Sequence, residues 1–357
     1  MTARLDAAAI GFNASNNTTY TWGDWRIMDL SFSGGRFVAT GGLGLNSNSG
    51  GYVGLLLLRL DLAAFETGLG FGPDGLNNNN NQAGHSHVAD QLAVVDCTVV
   101  GDKNTSYSGY NAGNRLAFVG NLFDNGGNYL RYDENDTLLG NGSHALRFPF
   151  LNKAVISNND IFRPGGDRLN IKLHAPFRDS LGNPDSVRNV GSNYSAEVEG
   201  DGFTKYVNIS DHDLLHGGGG DAQNVRFMVV GPQDTVEDER GHDIIVERNL
   251  EVGHLYTQQL NIVHWPEVTI RNNLALANGA PGYSYFLQLS REGGEPPASN
   301  IFVYNNTFYK PNSGSAGSDG YTFVDLPDPS ISNVTIKNNL GYAPLATGSV
   351  MYNDAGM

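Results

Sequence analysis

Between His144 and Arg178 the chain carries Arg147, Lys153, Arg163, Arg168, Lys172 and Arg178, six of its 22 Lys and Arg residues, against Asp160 and Asp167 alone. The local balance is +4 in a chain whose formal net charge is -15. Fixed positive charge beside a titratable nitrogen in so acidic a chain suits a carboxylate- or sulfate-bearing glycan, and a reaction that would use these residue types is the β-elimination of a uronic acid. That reaction needs a cation to neutralise the carboxylate, a base to take the acidified C5 proton and an acid for the leaving oxygen. Arg147 fits the first role. Lys172 fits the second, because neighbouring like charge disfavours its ammonium form, and His174 or His212 would serve as base without a shift.

The elements that position these residues are strands. In "RLNIKLH" Leu169, Ile171 and Leu173 form the inward set, so alternation turns Arg168, Asn170, Lys172 and His174 outward. In "HALRFPF" Leu146, Phe148 and Phe150 point in and Arg147 points out. The same kind of strand carries further polar candidates for substrate contact: His144, Arg226 in "NVRFMVV", and Asn261 and His264 in "QLNIVHW". Asp211, His216 and Gln233 stand in the loops between, beside Gly-rich stretches that would project toward a cleft. "HDLLH" (212–216) lacks both a helical context and the general-base Glu of a zinc protease. The acidic run Asp234, Glu237, Asp238 and Glu239 reads as a solvated loop, with calcium binding or pairing to Arg240 as alternatives.

These strands recur. "AVISNND" (154–160), "VTIRNNL" (268–274), "IFVYNNT" (301–307) and "VTIKNNL" (334–340) share one pattern, with weaker relatives "IIVERNL", "LAFVGNL" and "LAVVDCT". Asn272, Asn305 and Asn338 are spaced by 33 residues. A period of this size with period-2 alternation and no helical pattern implies a stacked β-solenoid of about ten coils. Asn158, Asn272, Asn305 and Asn338 are expected to form an asparagine ladder, bonding the backbone of the next coil while tolerating the left-handed backbone of a sharp corner.

The pattern resembles the right-handed parallel β-helix of pectate-lyase-like proteins from about Trp25 to Tyr352. The resemblance implies a single β-helix domain over 25–357 with an N-terminal cap over 1–24. "ALRFPFLNKAVISNNDIF" followed by "LNIKLHAP" is distantly similar to the chondroitinase B and alginate lyase family, where a lysine and an arginine on successive coils act as base and acid. Here Arg147 precedes Lys172, the inverse order, and the carboxylates that hold calcium in that family have no assigned counterpart, so Ca2+ stays open.

Composition narrows the partners. The excess of acidic residues disfavours nucleic acid, no apolar run is long enough for a membrane span, and the single Cys97 excludes an internal disulfide framework. The reading is a secreted, monomeric lyase acting on an anionic polysaccharide. Two other classes stay open. A glycoside hydrolase would pair Asp211 with Asp213 or Asp234. A non-catalytic glycan binder of the tailspike or adhesin kind would rely on Trp265, Tyr283 and Tyr285.

Overall fold

The structure is a computed structural model that describes residues 3–6, 22–33, 43–45, 52–63, 67–71, 89–101, 107–124, 130–132, 138–141, 144–162, 169–175, 203–215, 226–231, 239–253, 259–277, 284–290, 297–310, 321–344 and 350–354. Every regular element among them is a strand. Three strands recur in turn, as in Gly241–Glu247, Leu250–Gly253 and Gln259–Val263, followed by Val268–Arg271, Leu274–Ala277 and Ser284–Leu289. Each of these strands pairs in parallel with its equivalent one coil later, so the chain is a three-faced parallel β-helix, from which the strands Leu130–Tyr132 and Leu138–Asn141 stand apart as an antiparallel pair. The short second-face strands form one 11-stranded sheet. Its first member, Ala3–Asp6, pairs with Leu30–Ser33.

Stacking turns each inward position into a row. On the first face Leu57, Val94, Phe118, Ile156, Ile209, Val246, Ile270 and Val303 follow one another in register and are all buried. Each such side chain removed from water contributes roughly 1.5–3 kcal/mol, which is why strict alternation persists over so many coils.

The corner after the first face divides the expected asparagine roles between two consecutive residues. Asn158, Asn272, Asn305 and Asn338 take the left-handed backbone, with φ of 53° to 56°, and are exposed. The ladder is built by the residue that follows each. Asn273 Oδ1 accepts from the Asn249 backbone N–H at 3.0 Å, Asn306 Oδ1 from that of Asn273 at 3.0 Å, and Asn339 Oδ1 from that of Asn306 at 2.9 Å. Asn121 and Asn159 continue the ladder toward the N-terminus, where Asn121 Oδ1 accepts from Cys97 N–H. His212 takes the place of an asparagine between Asn159 and Asn249, its Nδ1 3.1 Å from the Asn159 backbone nitrogen. Burial pushes its pKa down to about 4, so the neutral ring can accept that hydrogen bond.

Among the described residues of the second face, one inward position breaks the apolar rule. On the second face Leu214, Glu251, Ala275 and Phe308 share a row, and the Glu251 carboxyl is fully buried inside the solenoid. Its partner is Asn261 on the third face, whose Nδ2 donates to Oε2 at 3.1 Å and Oε1 at 3.3 Å. Burial pushes the Glu251 pKa up to about 8, with the Asn261 hydrogen bond opposing.

Two outcomes follow from these interior contacts. Asn273→Ala strips the acceptor from a buried backbone N–H and should cost at least about 2 kcal/mol in denaturant unfolding, whereas Asn272→Gly at the exposed left-handed corner should be close to neutral. For Glu251 the folded pKa lies above the unfolded one, near 4.5. Burial therefore costs nothing below that unfolded value, the cost grows as pH rises, and it levels off above about 8. Glu251→Gln should accordingly match the parent near pH 4 and exceed it by several kcal/mol near pH 9, read from melts across pH.

Candidate functional site

The third face carries two outward rows. Register along the first runs Arg147, Lys172, Val229, Ile262, Gln288 and Asp325. The second is traced by backbone bonds two residues further on: His174 N–H to Phe148 O, Gly231 N–H to Leu173 O, His264 N–H to Val230 O and Ser290 N–H to Val263 O. The stack thus brings His174, Gly231, His264 and Ser290 into one line beside the line of Arg147 and Lys172.

This outer side is not open to water. Lys172 is 0% exposed, His264 2%, His144 4% and His174 5%, while Arg147 and Arg226 are half-buried. Val229 and Ile262 form a small buried apolar cluster separate from the main core. The expectation of a solvent-facing cationic stripe is therefore corrected: the cations do face away from the core, but the side they occupy is covered. Lys172 Nζ donates to the backbone oxygen of Gly231.

The central pair is His174 and Glu239. Glu239, 1% exposed, places Oε1 at 2.7 Å and Oε2 at 3.0 Å from His174 Nδ1, and Oε2 also accepts from the Ala175 backbone N–H at 3.0 Å. Trp265 Nε1 donates to the Glu239 backbone oxygen at 3.0 Å. The indole lies so close to the chain that a Cβ on Gly241 would sit 2.3 Å from its ring, and Gly231, at φ +113°, would put a Cβ 2.7 Å from that of His264. Both glycines are required by this approach. From behind, Thr204 Oγ1 donates to the His174 backbone oxygen at 2.6 Å.

A carboxylate can only accept, so Nδ1 of His174 carries the proton and Nε2 keeps its lone pair. That Nε2 is buried and has no hydrogen-bond partner. Burial, then Arg147, Lys172 and His144, push the His174 pKa well below its ordinary 6.5. Burial likewise lowers His264 to about 3, with Lys172 and Arg226 adding to the shift and Ser290 opposing it. Ser290 Oγ lies 3.1 Å from His264 Nδ1. The result is a neutral, oriented imidazole base set among cations.

Several expected site residues lie elsewhere. Asn170 is fully buried in register beside core residues rather than outward, and neither its Oδ1 nor its Nδ2 has a hydrogen-bond partner. Asn261 is the interior partner of Glu251, and His212 is a ladder rung. Trp265 is 1% exposed and so is not an open stacking platform. Asp211 forms a two-pronged ion pair with Arg248, at 2.7 and 2.9 Å, at the corner that follows the first face. Arg168, His216, Gln233, Asp234, Glu237, Asp238 and Tyr283 lie outside the described residues. Sequence reasoning missed Glu239, the last acid of a run that looked solvated. The one available signal was its place next to "RGHDIIV", the start of a first-face strand that must pass close to the preceding coil.

No protein-family model matches this chain, and no curated protein matches it. Among solved structures it is similar to the Dettilon tailspike protein, at 13% identity and a TM-score of 0.44, over 94% of this chain and 60% of the tailspike. It is also similar to the alginate lyase from Paenibacillus sp. str. FPU-7, at 12% identity and a TM-score of 0.38, over 83% of this chain and 92% of the lyase.

The electrostatics of the pair can be measured directly. Histidine 15N–1H correlation spectra should find His174 as the Nδ1–H tautomer, still neutral at pH values where a free imidazole is half protonated. Arg147→Ala removes one depressing charge and should move its titration upward.

Proposed function

We propose that this protein acts on an anionic, uronate-bearing polysaccharide by β-elimination, and that His174 is the base. The observation that carries this reading is the unpaired, buried Nε2 of His174, held by Glu239 at its other nitrogen and set near Arg147, Lys172 and His144. A substrate carboxylate bound by half-buried Arg147, with the fixed charge of Lys172 behind it, has its charge offset, which acidifies the adjacent C5–H. Nε2 takes that proton, the C5–H pair becomes the C4–C5 double bond, and the C4–O4 bond breaks. The imidazolium, stabilised by Glu239, returns the proton to the departing O4 when both lie on one face of the ring. Lys172, fully buried and bonded to Gly231 O, serves as fixed charge rather than as the base.

A second reading rests on a different face. Asp160 and Asp213 are neighbours in register on the second-face sheet, and burial, then Asp213, raises the Asp160 pKa. A carboxyl group with raised pKa beside a second carboxyl suits glycoside hydrolysis.

Incubation with alginate, pectate, glucuronans and glycosaminoglycans separates these readings. Elimination leaves an unsaturated uronate with a new ultraviolet absorbance, hydrolysis leaves a saturated end, and retained binding without turnover identifies a glycan binder. In the elimination reading His174→Gln should lower kcat by at least about 10²-fold with KM little changed, and Arg147→Ala should damage both. Full activity in His174→Gln would remove it from the base role.

A further inference from the structure

We propose that His242, Asp243 and Glu267 form a binding site for a divalent transition-metal ion of the Zn2+ class, on the edge of the solenoid and separate from the His174 site. His242 Nδ1 lies 2.8 Å from Asp243 Oδ2 and 3.6 Å from Glu267 Oε2, and one ligand atom from each of the three residues falls within 4.8 Å of the others. A tetrahedral ion with bonds of about 2.0–2.1 Å needs ligand atoms about 3.3 Å apart, so small side-chain adjustments would close the set around an ion and leave a fourth position for water.

The charge pattern around these residues separates them from the acids at the arginine-bearing corners of the solenoid. Asp29 is paired with Arg59, Asp90 with Arg115, Asp211 with Arg248, and Glu247 with Arg248 and Arg271. Among the described residues no lysine or arginine is paired with Asp243 or Glu267, and the imidazole of His242 is their shared partner. Lys205, in register with His242, lies instead over the Tyr206 ring at 5.9 Å. The His242 ring is also held in place, with Phe203 edge-on at 5.7 Å and Tyr206 at 6.1 Å. An oriented nitrogen ligand and two carboxylates without a fixed counter-charge match a borderline ion, whereas Ca2+ prefers six or more oxygens and gains little from an imidazole.

The location adds a consequence. His242 and Asp243 open one first-face strand, and Glu267 stands two residues after Trp265, just before the equivalent strand of the next coil. An ion held there ties together the two coils that Trp265 Nε1 already links through the Glu239 backbone oxygen.

The test is calorimetric titration of the full chain with ZnCl2 and, separately, with CaCl2, alongside thermal melts. The expected result is one Zn2+ per chain, a melting temperature that rises with Zn2+ concentration, and no comparable response to Ca2+. His242→Ala and Glu267→Gln, both at the exposed edge and checked for an unchanged metal-free melt, should each weaken Zn2+ binding at least tenfold. Asp61→Asn, at an exposed acid of the second-face sheet several coils away, should leave it unchanged. Absence of Zn2+ binding overturns the proposal, as does binding that survives both substitutions, and Ca2+ bound as tightly as Zn2+ overturns the assigned ion class.

Discussion

The hydrogen bonding of each coil to the next, in parallel and in register, is the constraint on which the rest of the molecule depends. Backbone groups of one coil find their partners at the equivalent residues of its neighbours, so a coil cannot change its cross-section without leaving buried N–H and C=O groups unpaired. Side chains therefore line up in rows about 4.8 Å apart, and a row has to tolerate its own chemistry repeated. Apolar rows do so by packing. The corner row does so through the amide ladder, where Asn273 and Asn306 each use Oδ1 as acceptor and Nδ2 as donor, so that the same residue type can follow itself indefinitely. A neutral imidazole can hold one rung, as His212 does, because it also offers an acceptor on the ring.

The same constraint gathers the candidate site. Nothing in the sequence between His174 and Glu239 connects them, since they are 65 residues apart. They meet because one coil, from Thr204 to Val230, follows His174, and Glu239, just before the strand Gly241–Glu247 that opens the coil after it, stacks beside the corner that His174 ends, while the Trp265 indole bonds its backbone from one coil further on. Gly231 and Gly241 are the two places where this closeness leaves no room for a side chain. The interior exception, Glu251 with Asn261, shows the opposite use of the stack. There a carboxyl is kept away from all charge, and its burial favours the protonated form.

Alternation and the recurring "NN" made the fold legible, because a period-2 pattern repeated at solenoid spacing has few other solutions. The details that failed were those set by contacts between coils. Asn158 and Asn159 are indistinguishable by type, and which of them turns inward depends on where the left-handed residue falls. His212 looked catalytic because a histidine replacing asparagine in a ladder carries no local mark. Lys172 and His174 were correctly placed away from the core, but alternation says which way a side chain faces and not whether that side is covered. Glu239 was hidden for the converse reason: a run of acids on a loop normally solvates, and only a partner from a distant coil reveals which acid is buried.

The electrostatics at His174 bear on substrate choice as well as on chemistry. Burial, then Arg147 and Lys172, depress its basicity in the free protein, so an uncharged sugar would meet a weak base. A uronate bound to those same cations offsets part of their field, and the proton affinity of Nε2 rises as the substrate seats. The group that anchors the polymer would then also activate the base, while the Glu239 carboxylate stabilises the imidazolium once it forms. In the elimination reading, part of the discrimination against neutral glycans would follow from charge alone, because without the carboxylate C5–H is less acidic and the cations' field on Nε2 is not offset.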